Sequence, residues 1–134
     1  VLYARGNLAS TMLGFSKRVD AGQAQLREMV SEAASKDLVH VYGASTRGCT
    51  ILQASNIRRE QVFAAADRDE RKWGYLVPGT DIPIVSEEES RKAKPAFYLL
   101  NIYPYLEQVK QREAEFLARG GRFIVPLPTP QVVP

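Results

Sequence analysis

The segment Gly43–Gly48 is the part of the sequence best suited to bind an anion. It follows a β-branched run, Asp37–Gly43, and leads into a stretch from Ser45 that fits a helix. At a strand-to-helix turn, the backbone N–H groups and the helix dipole point toward any anion placed there. The pattern predicts a phosphate-binding turn. Packing of a strand tightly against a helix would also require Gly43 and Gly48, so a turn without a ligand stays open.

Charged residues that could complete such a site follow the second predicted strand. Asp67 and Asp69 lie about two dozen positions after Gly43, where dinucleotide-binding folds carry an acid that binds ribose. Ser45 replaces the middle glycine of that fingerprint, which disfavours a true dinucleotide site. Three cations lie nearby, and they either bind a diphosphate together or only keep the loop exposed to water. They are Arg68, Arg71 and Lys72.

Catalysis by this chain alone is not expected from its nucleophiles. The single histidine, His40, lies within the first predicted strand, which favours a core position. Cys49 falls in the first turn of a helix, which could lower its pKa, yet no histidine is close in sequence to act as its base. A structural thiol is the better interpretation.

Strands that alternate with helices must position these residues. Apolar residues recur at helical spacing over Asn7–Lys36, which predicts one long helix with a break or kink near Gly22. The predicted strands are Asp37–Gly43, Val62–Ala66, Ile82–Val85, Ala96–Asn101 and Arg122–Leu127.

Turn and capping signals separate the remaining elements. Ser86, with Glu89 three positions later, predicts a capping box and a short helix that Pro95 stops. A further helix is predicted over Tyr105–Arg119, and the tail after Pro128 is expected to be irregular. This order predicts an α/β fold, a Rossmann-like three-layer sandwich with about five mainly parallel strands. We expect residues 1–36 to form a connecting helix and residues 37–134 to form the domain.

Composition excludes several classes of protein. Hydrophobic residues make up 45% of the 134 residues and charged residues 25%, as in globular proteins. A net charge of +3 without a basic stripe disfavours nucleic-acid binding, and no apolar run is long enough to predict a membrane span. One cysteine favours the cytoplasm. Without an initiator methionine, the chain is expected to begin inside a longer gene product.

Several short blocks of residues follow one another in a fixed order along the chain. They are Tyr42–Gly48 with Thr50, Leu52 and Gln53, then Lys72–Gly74, Pro78–Thr80, Ile82–Ile84, Ser86–Glu89 and Arg91, and finally Arg112–Glu113, Phe116–Leu117, Gly120–Gly121 and Phe123–Pro128. Together these blocks resemble the C-terminal domain of bacterial sugar C-methyltransferases, enzymes that use S-adenosylmethionine to methylate a nucleotide-linked keto-sugar.

The resemblance implies a substrate-holding domain of a transferase, inactive by itself. It implies that a zinc-binding segment and an S-adenosylmethionine domain precede this chain, which would bind neither cofactor. By position, it implies that the nucleotide-sugar meets Gly43, Ser45, Thr46, Arg47 and Gly48 on one side and Lys72, Gly79 and Thr80 on a facing loop. With Asp67 and Tyr103, these complete the candidate substrate-binding set.

A non-catalytic Rossmann-like binding or interaction module is the alternative. After the fourth strand the family usually has a Trp-His-Phe run, whereas this chain has Tyr103-Pro104-Tyr105. A module that serves a partner through the long helix and this loop would fit that departure.

Overall fold

The computed structural model describes residues 2–134, with side chains from residue 11 onward. Its helices and strands alternate along most of the chain. In chain order they are α1 (Leu2–Lys36), β1 (Val39–Tyr42), α2 (Thr46–Ala54), β2 (Ala65–Asp67), β3 (Ile84–Ser86), α3 (Glu87–Ala93), β4 (Phe97–Leu100), α4 (Leu106–Arg112), α5 (Ala114–Ala118), β5 (Arg122–Val125) and β6 (Gln131–Val133), with 3₁₀ turns at Glu70–Lys72 and Tyr103–Tyr105.

The strands form one sheet in the order β3-β2-β1-β4-β5-β6. The first five pair in parallel, from Ala65 with Ile84 at one end to Leu99 with Ile124 toward the other. Connections turn in opposite directions from β1, which makes the β1–β4 boundary a topological switch point. The predicted α/β, Rossmann-like class is confirmed.

The tail contains a sixth strand where an irregular segment was expected. Gln131–Val133 pairs antiparallel with β5, Val132 opposite Ile124. Its prolines, Pro130 and Pro134, flank the strand instead of interrupting it, so they remove no hydrogen bond from the ladder. The prediction of an irregular tail was therefore wrong, because the prolines masked two adjacent β-branched residues, whereas the five predicted strands are all present.

Alternation along each central strand builds two cores. Val39, Val41 and Leu99 face one side, where they pack with α1 and α2. Tyr42 and Tyr98 face the other side, where they pack with α4, α5 and Phe123. The sheet is therefore the middle of three layers.

The long helix is continuous through Gly22, so the helix does not break at this glycine. Leu26, Val30 and Ala33 are buried in the first core, which places the C-terminal half of α1 inside the domain. The division of the chain at residue 36 stays a prediction. Among the described residues, we find no helix that has both the length and the apolar character to cross a membrane.

The helix predicted over Tyr105–Arg119 is divided at Glu113. Helix α4 ends at Arg112 and α5 begins at Ala114. Between them, Glu113 has a ψ angle of 35°, which lies outside the helical range. Its carboxylate is buried among charged partners, described below, and this tertiary pairing overrides the local helical pattern. The Ser86 cap is confirmed, since its hydroxyl accepts a hydrogen bond from the Glu89 N–H at 3.0 Å.

Candidate functional site

The predicted glycine-bounded turn lies at the switch point of the sheet. We name residues 43–48 the glycine turn. Gly43 has φ +95°, and its N–H donates to Ala66 O at 2.7 Å. A Cβ at Gly43 would lie 2.9 Å from the Ile102 side chain, so both conformation and space require glycine here. Ser45 begins α2 as its N-cap, where its hydroxyl accepts from Gly48 N–H at 3.1 Å.

Three N–H groups of the glycine turn remain available to a ligand. Within the described chain, the N–H groups of Ser45, Thr46 and Arg47 have no hydrogen-bond acceptor. They lie at the start of a nine-residue helix, where its dipole favours negative charge. The turn therefore has the geometry of an anion-binding site.

Asn101 supports this turn from the end of β4, although it is not among the residues predicted to form the site. Its Nδ2 donates to Gly43 O at 3.3 Å, and its side chain packs directly against Gly48. The side chain is buried, and its Oδ1 is one of two buried side-chain polar atoms without a partner in the described residues. A polar residue that ends an apolar strand was the available signal.

Arg47 and Tyr103 come together beside the glycine turn. The Arg47 guanidinium lies 5.8 Å from the centre of the Tyr103 ring, within the range of a cation–π contact. Arg47 is exposed, and the described residues give it no carboxylate partner. Its charge is therefore free to meet an anion.

A pocket of about 400 Å³ opens on the other side of the turn, toward β2. Ala44, Thr46 and Cys49 form its helix side. The facing loop contributes Lys72 and the exposed residues Tyr75 and Leu76, with Arg71, Pro78 and Ile84 also at the wall. We name it the β2-side pocket.

The loop that closes this pocket is fastened to α2. Gln53 Nε2 donates to Pro78 O at 2.8 Å, and Gly79 packs directly against the Gln53 side chain. The Thr80 hydroxyl donates to Val77 O at 2.8 Å and accepts from Ile82 N–H at 3.2 Å. Gly79 and Thr80 thus shape and hold the facing loop, but neither lines the pocket.

Asp67 is committed to the turn. Its Oδ2 accepts from Ala44 N–H at 2.9 Å and from Lys72 Nζ at 3.3 Å, while its Oδ1 accepts from Asp69 N–H at 2.8 Å. Lys72 also donates to Ala44 O at 3.1 Å. Binding ribose through Asp67 would require replacing these contacts.

Each member of the predicted cation cluster already faces a carboxylate. Lys72 pairs with Asp67, Arg71 pairs with Asp69 at 2.9 Å, and Arg68 lies 3.8 Å from Glu87. The Arg71 guanidinium lowers the pKa of Asp69 to about 2. Of the four cations predicted near the site, Arg47 alone lacks such a partner in the described residues.

Cys49 and His40 are buried as the sequence predicted. Burial raises the pKa of Cys49, so its place near a helix start does not activate the thiol. His40 Nδ1 lies 2.7 Å from the Ser90 hydroxyl, which lies 2.8 Å from the Tyr98 hydroxyl. Burial lowers the pKa of His40 to about 4, and its Nε2 has no partner among the described residues.

A second charged cluster lies across the sheet from the glycine turn. The Tyr42 hydroxyl is 2.7 Å from Glu87 Oε2 and 2.9 Å from Glu113 Oε1, and it accepts from Arg112 at 3.1 Å. Arg91 Nη2 donates to Glu113 at 2.6 Å and to Glu87 at 2.8 Å. Burial and the Glu87 contact raise the pKa of Tyr42. We name this cluster the arginine–glutamate network.

Most of this chain is similar to known proteins. Residues 5–128 match the family described as the C-methyltransferase C-terminal domain. The chain is also 38% identical, over 120 residues, to C-methyltransferase NovU of Streptomyces niveus. That alignment covers 89% of this chain and 29% of NovU, so the chain spans less than a third of that relative's length. The chain therefore belongs to the C-methyltransferase C-terminal domain family.

Proposed function

We propose that this chain holds a nucleotide-linked keto-sugar for methyl transfer by other parts of a sugar C-methyltransferase. The diphosphate binds at the glycine turn. The observation that carries this proposal is a set of donors without a partner in the described part of the chain, namely the N–H groups of Ser45, Thr46 and Arg47 and the Arg47 guanidinium beside them. Membership in the C-methyltransferase C-terminal domain family supports the reaction class.

Charge neutralisation is the chemical contribution of the turn. A diphosphate carries several negative charges, and losing water around them is costly unless donors replace it. Oriented N–H groups and a guanidinium supply such donors, and a bidentate arginine also fixes the angle of the phosphate. The bound sugar is then aligned with the methyl donor, which lowers the entropic part of the barrier.

The chain's role in the reaction would thus be positioning. S-adenosylmethionine, which supplies the methyl group, and zinc would be bound outside these residues. Tyr103 restricts the Arg47 side chain, and the Lys72–Asp67 pair holds the start of the turn at Ala44.

Calorimetric titration with thymidine diphosphate tests the proposal, with S-adenosylmethionine and NAD titrated in parallel. We expect saturable binding of the diphosphate alone. In the Arg47→Ala variant the Kd should rise about tenfold or more, since a hydrogen bond to a charged group is lost. Absence of saturable binding of the diphosphate to the unaltered chain would contradict the proposal.

Arg59 offers a matched control. Its guanidinium also lies over an aromatic ring, 5.0 Å from the centre of Phe63, but it precedes β2 at the opposite end of the strands. Arg59→Ala removes the same charge and stacking contact, and it should change the Kd by no more than about twofold. An equal loss in both variants would show a general charge effect and contradict the assigned site.

A non-catalytic interaction module is the second candidate. It is supported by the exposed apolar residues of α1, since Met12, Leu13 and Phe15 are each about 60% exposed. This function predicts no nucleotide binding in the same titration.

A further inference from the structure

The β2-side pocket and the Arg47–Tyr103 pair flank the glycine turn on opposite sides, and they differ in charge. Arg71 and Lys72, the cations of the pocket, are already paired with Asp69 and Asp67. Arg47 has no carboxylate partner in the described residues. A phosphate is therefore better placed toward Arg47, and an uncharged group is better placed in the pocket.

The pocket walls suit a flat, partly apolar group. Ala44, Leu76 and Ile84 supply apolar surface, and Thr46 supplies a hydroxyl. Tyr75 is 70% exposed at this pocket. An exposed aromatic ring beside an apolar pocket can stack on a nucleobase, since every base presents a π-face.

The backbone that carries Tyr75 is fixed before any ligand arrives. Tyr75 N–H donates to Lys72 O at 3.1 Å, and Tyr75 O accepts from Ile84 N–H at 2.8 Å. The same loop is fastened to α2 through Gln53 and Pro78. Ordering such a wall costs little on binding, because its backbone is already held.

The opposite side leads to a larger space. Tyr103 lines a groove of about 910 Å³ between α1, α2 and the segment Pro126–Pro130. If the methyl donor is bound outside this chain, the reacting sugar has to reach beyond the turn. The groove past Tyr103 has more than twice the volume of the β2-side pocket and provides that route.

Resting on the proposed function, we infer that the β2-side pocket binds the nucleoside end of the ligand, its base stacked on Tyr75, while the sugar extends past Arg47 and Tyr103. The diphosphate lies between them at the glycine turn. This orientation assigns Tyr75, Leu76 and Thr46 to recognition of the nucleoside.

Comparison of two probes tests this orientation, because only one contains a nucleoside. Thymidine diphosphate and inorganic pyrophosphate are titrated against the unaltered chain and the Tyr75→Ala variant. Stacking on one aromatic ring contributes enough that Tyr75→Ala should raise the Kd of thymidine diphosphate about tenfold. The Kd of pyrophosphate should stay the same, and Tyr75→Phe should retain binding of both probes.

Tyr105 provides the control, since it is 58% exposed on the 3₁₀ turn after β4 and does not line the pocket. Tyr105→Ala should leave both dissociation constants unchanged. An unchanged thymidine diphosphate Kd in Tyr75→Ala, or an equal loss of pyrophosphate binding, would overturn the orientation and leave the proposed function standing. Failure of the unaltered chain to bind either probe would overturn the proposed function itself.

Discussion

Two clusters of charged and polar groups lie at the end of β1, and they differ in how their hydrogen bonds are satisfied. The arginine–glutamate network begins at Tyr42, and the glycine turn begins at the next residue. In the network, Glu113 is 2% exposed and accepts from Arg91 at 2.6 Å. In the glycine turn, three N–H groups and the Arg47 guanidinium have no such partner among the described residues.

The difference in hydrogen bonding indicates that the network stabilises the fold and that the glycine turn is suited to bind a ligand. A buried charge needs internal partners, because burial removes the water that would otherwise stabilise it. A binding site needs the reverse, which is donors that water satisfies only until a ligand arrives. We therefore expect changes in the network to alter mainly the free energy of unfolding, and changes in the glycine turn to alter mainly ligand binding.

The largest expected effect is in the network. Glu113→Ala removes the buried acceptor shared by Arg91 and Tyr42 and should lower the free energy of unfolding by about 3 to 4 kcal/mol. Chemical denaturation measures this value. Glu115→Ala, an exposed neighbour on α5, should change it by less than about 0.5 kcal/mol. Equal stability of the two variants would contradict a structural network.

Low pH should decrease the free energy of unfolding, because His40 is buried in its uncharged form. Its folded pKa of about 4 lies below the unfolded value of 6.5, so the unfolded chain binds the proton more readily between these pH values. Stability should therefore fall from about pH 6.5 to about pH 4, and this histidine contributes about 3 kcal/mol of the loss. His40→Gln cannot titrate, so its unfolding free energy should depend less on pH over this window. Parallel curves for the two proteins would disprove this role.

The glycine turn should respond to crowding at Gly48. A Cβ there would overlap the Asn101 side chain, which holds Gly43 O, so Gly48→Ala should destabilise the chain by about 2 kcal/mol. It should also weaken thymidine diphosphate binding, because the turn must shift. Gly22→Ala is the control, since no described atom beyond its chain neighbours and its own helix backbone lies within 4 Å of the added group. It should stabilise α1 by up to about 1 kcal/mol. Destabilisation by both variants would count against a specific clash.

The smallest expected change in stability is at Arg47, and comparing it with Arg91 tests directly whether the glycine turn binds ligand or supports the fold. Arg47→Ala should change the free energy of unfolding by less than about 0.5 kcal/mol, although it weakens diphosphate binding. Arg91→Ala removes the positively charged partner of buried Glu113 and should destabilise the chain by well over that amount. Thermal unfolding of the two variants side by side makes this test. A large stability loss in Arg47→Ala would show that the glycine turn is structural.

Local patterns were enough to predict much of the fold. The β-branched run before Gly43, the capping serine at Ser86 and the helix stop at Pro95 act within a few positions of the chain. Parallel pairing followed from the alternation of strands and helices. The glycine turn and its place before α2 were predicted for the same reason.

Tertiary structure decided the contacts that distinguish the two clusters. Tyr42 and Glu113 lie 71 positions apart, and Asn101 reaches Gly43 across 58 positions. Such pairs depend on which strands become neighbours and in what register. The spacing of residues along the sequence does not predict either. The same reason explains the helix division at Glu113, the commitment of Asp67 to Ala44 and the sixth strand beside β5. The sequence alone determined the turn and most of the helices and strands, because these depend on neighbouring residues. The tertiary structure decided which charges have partners and which donors remain available to a ligand.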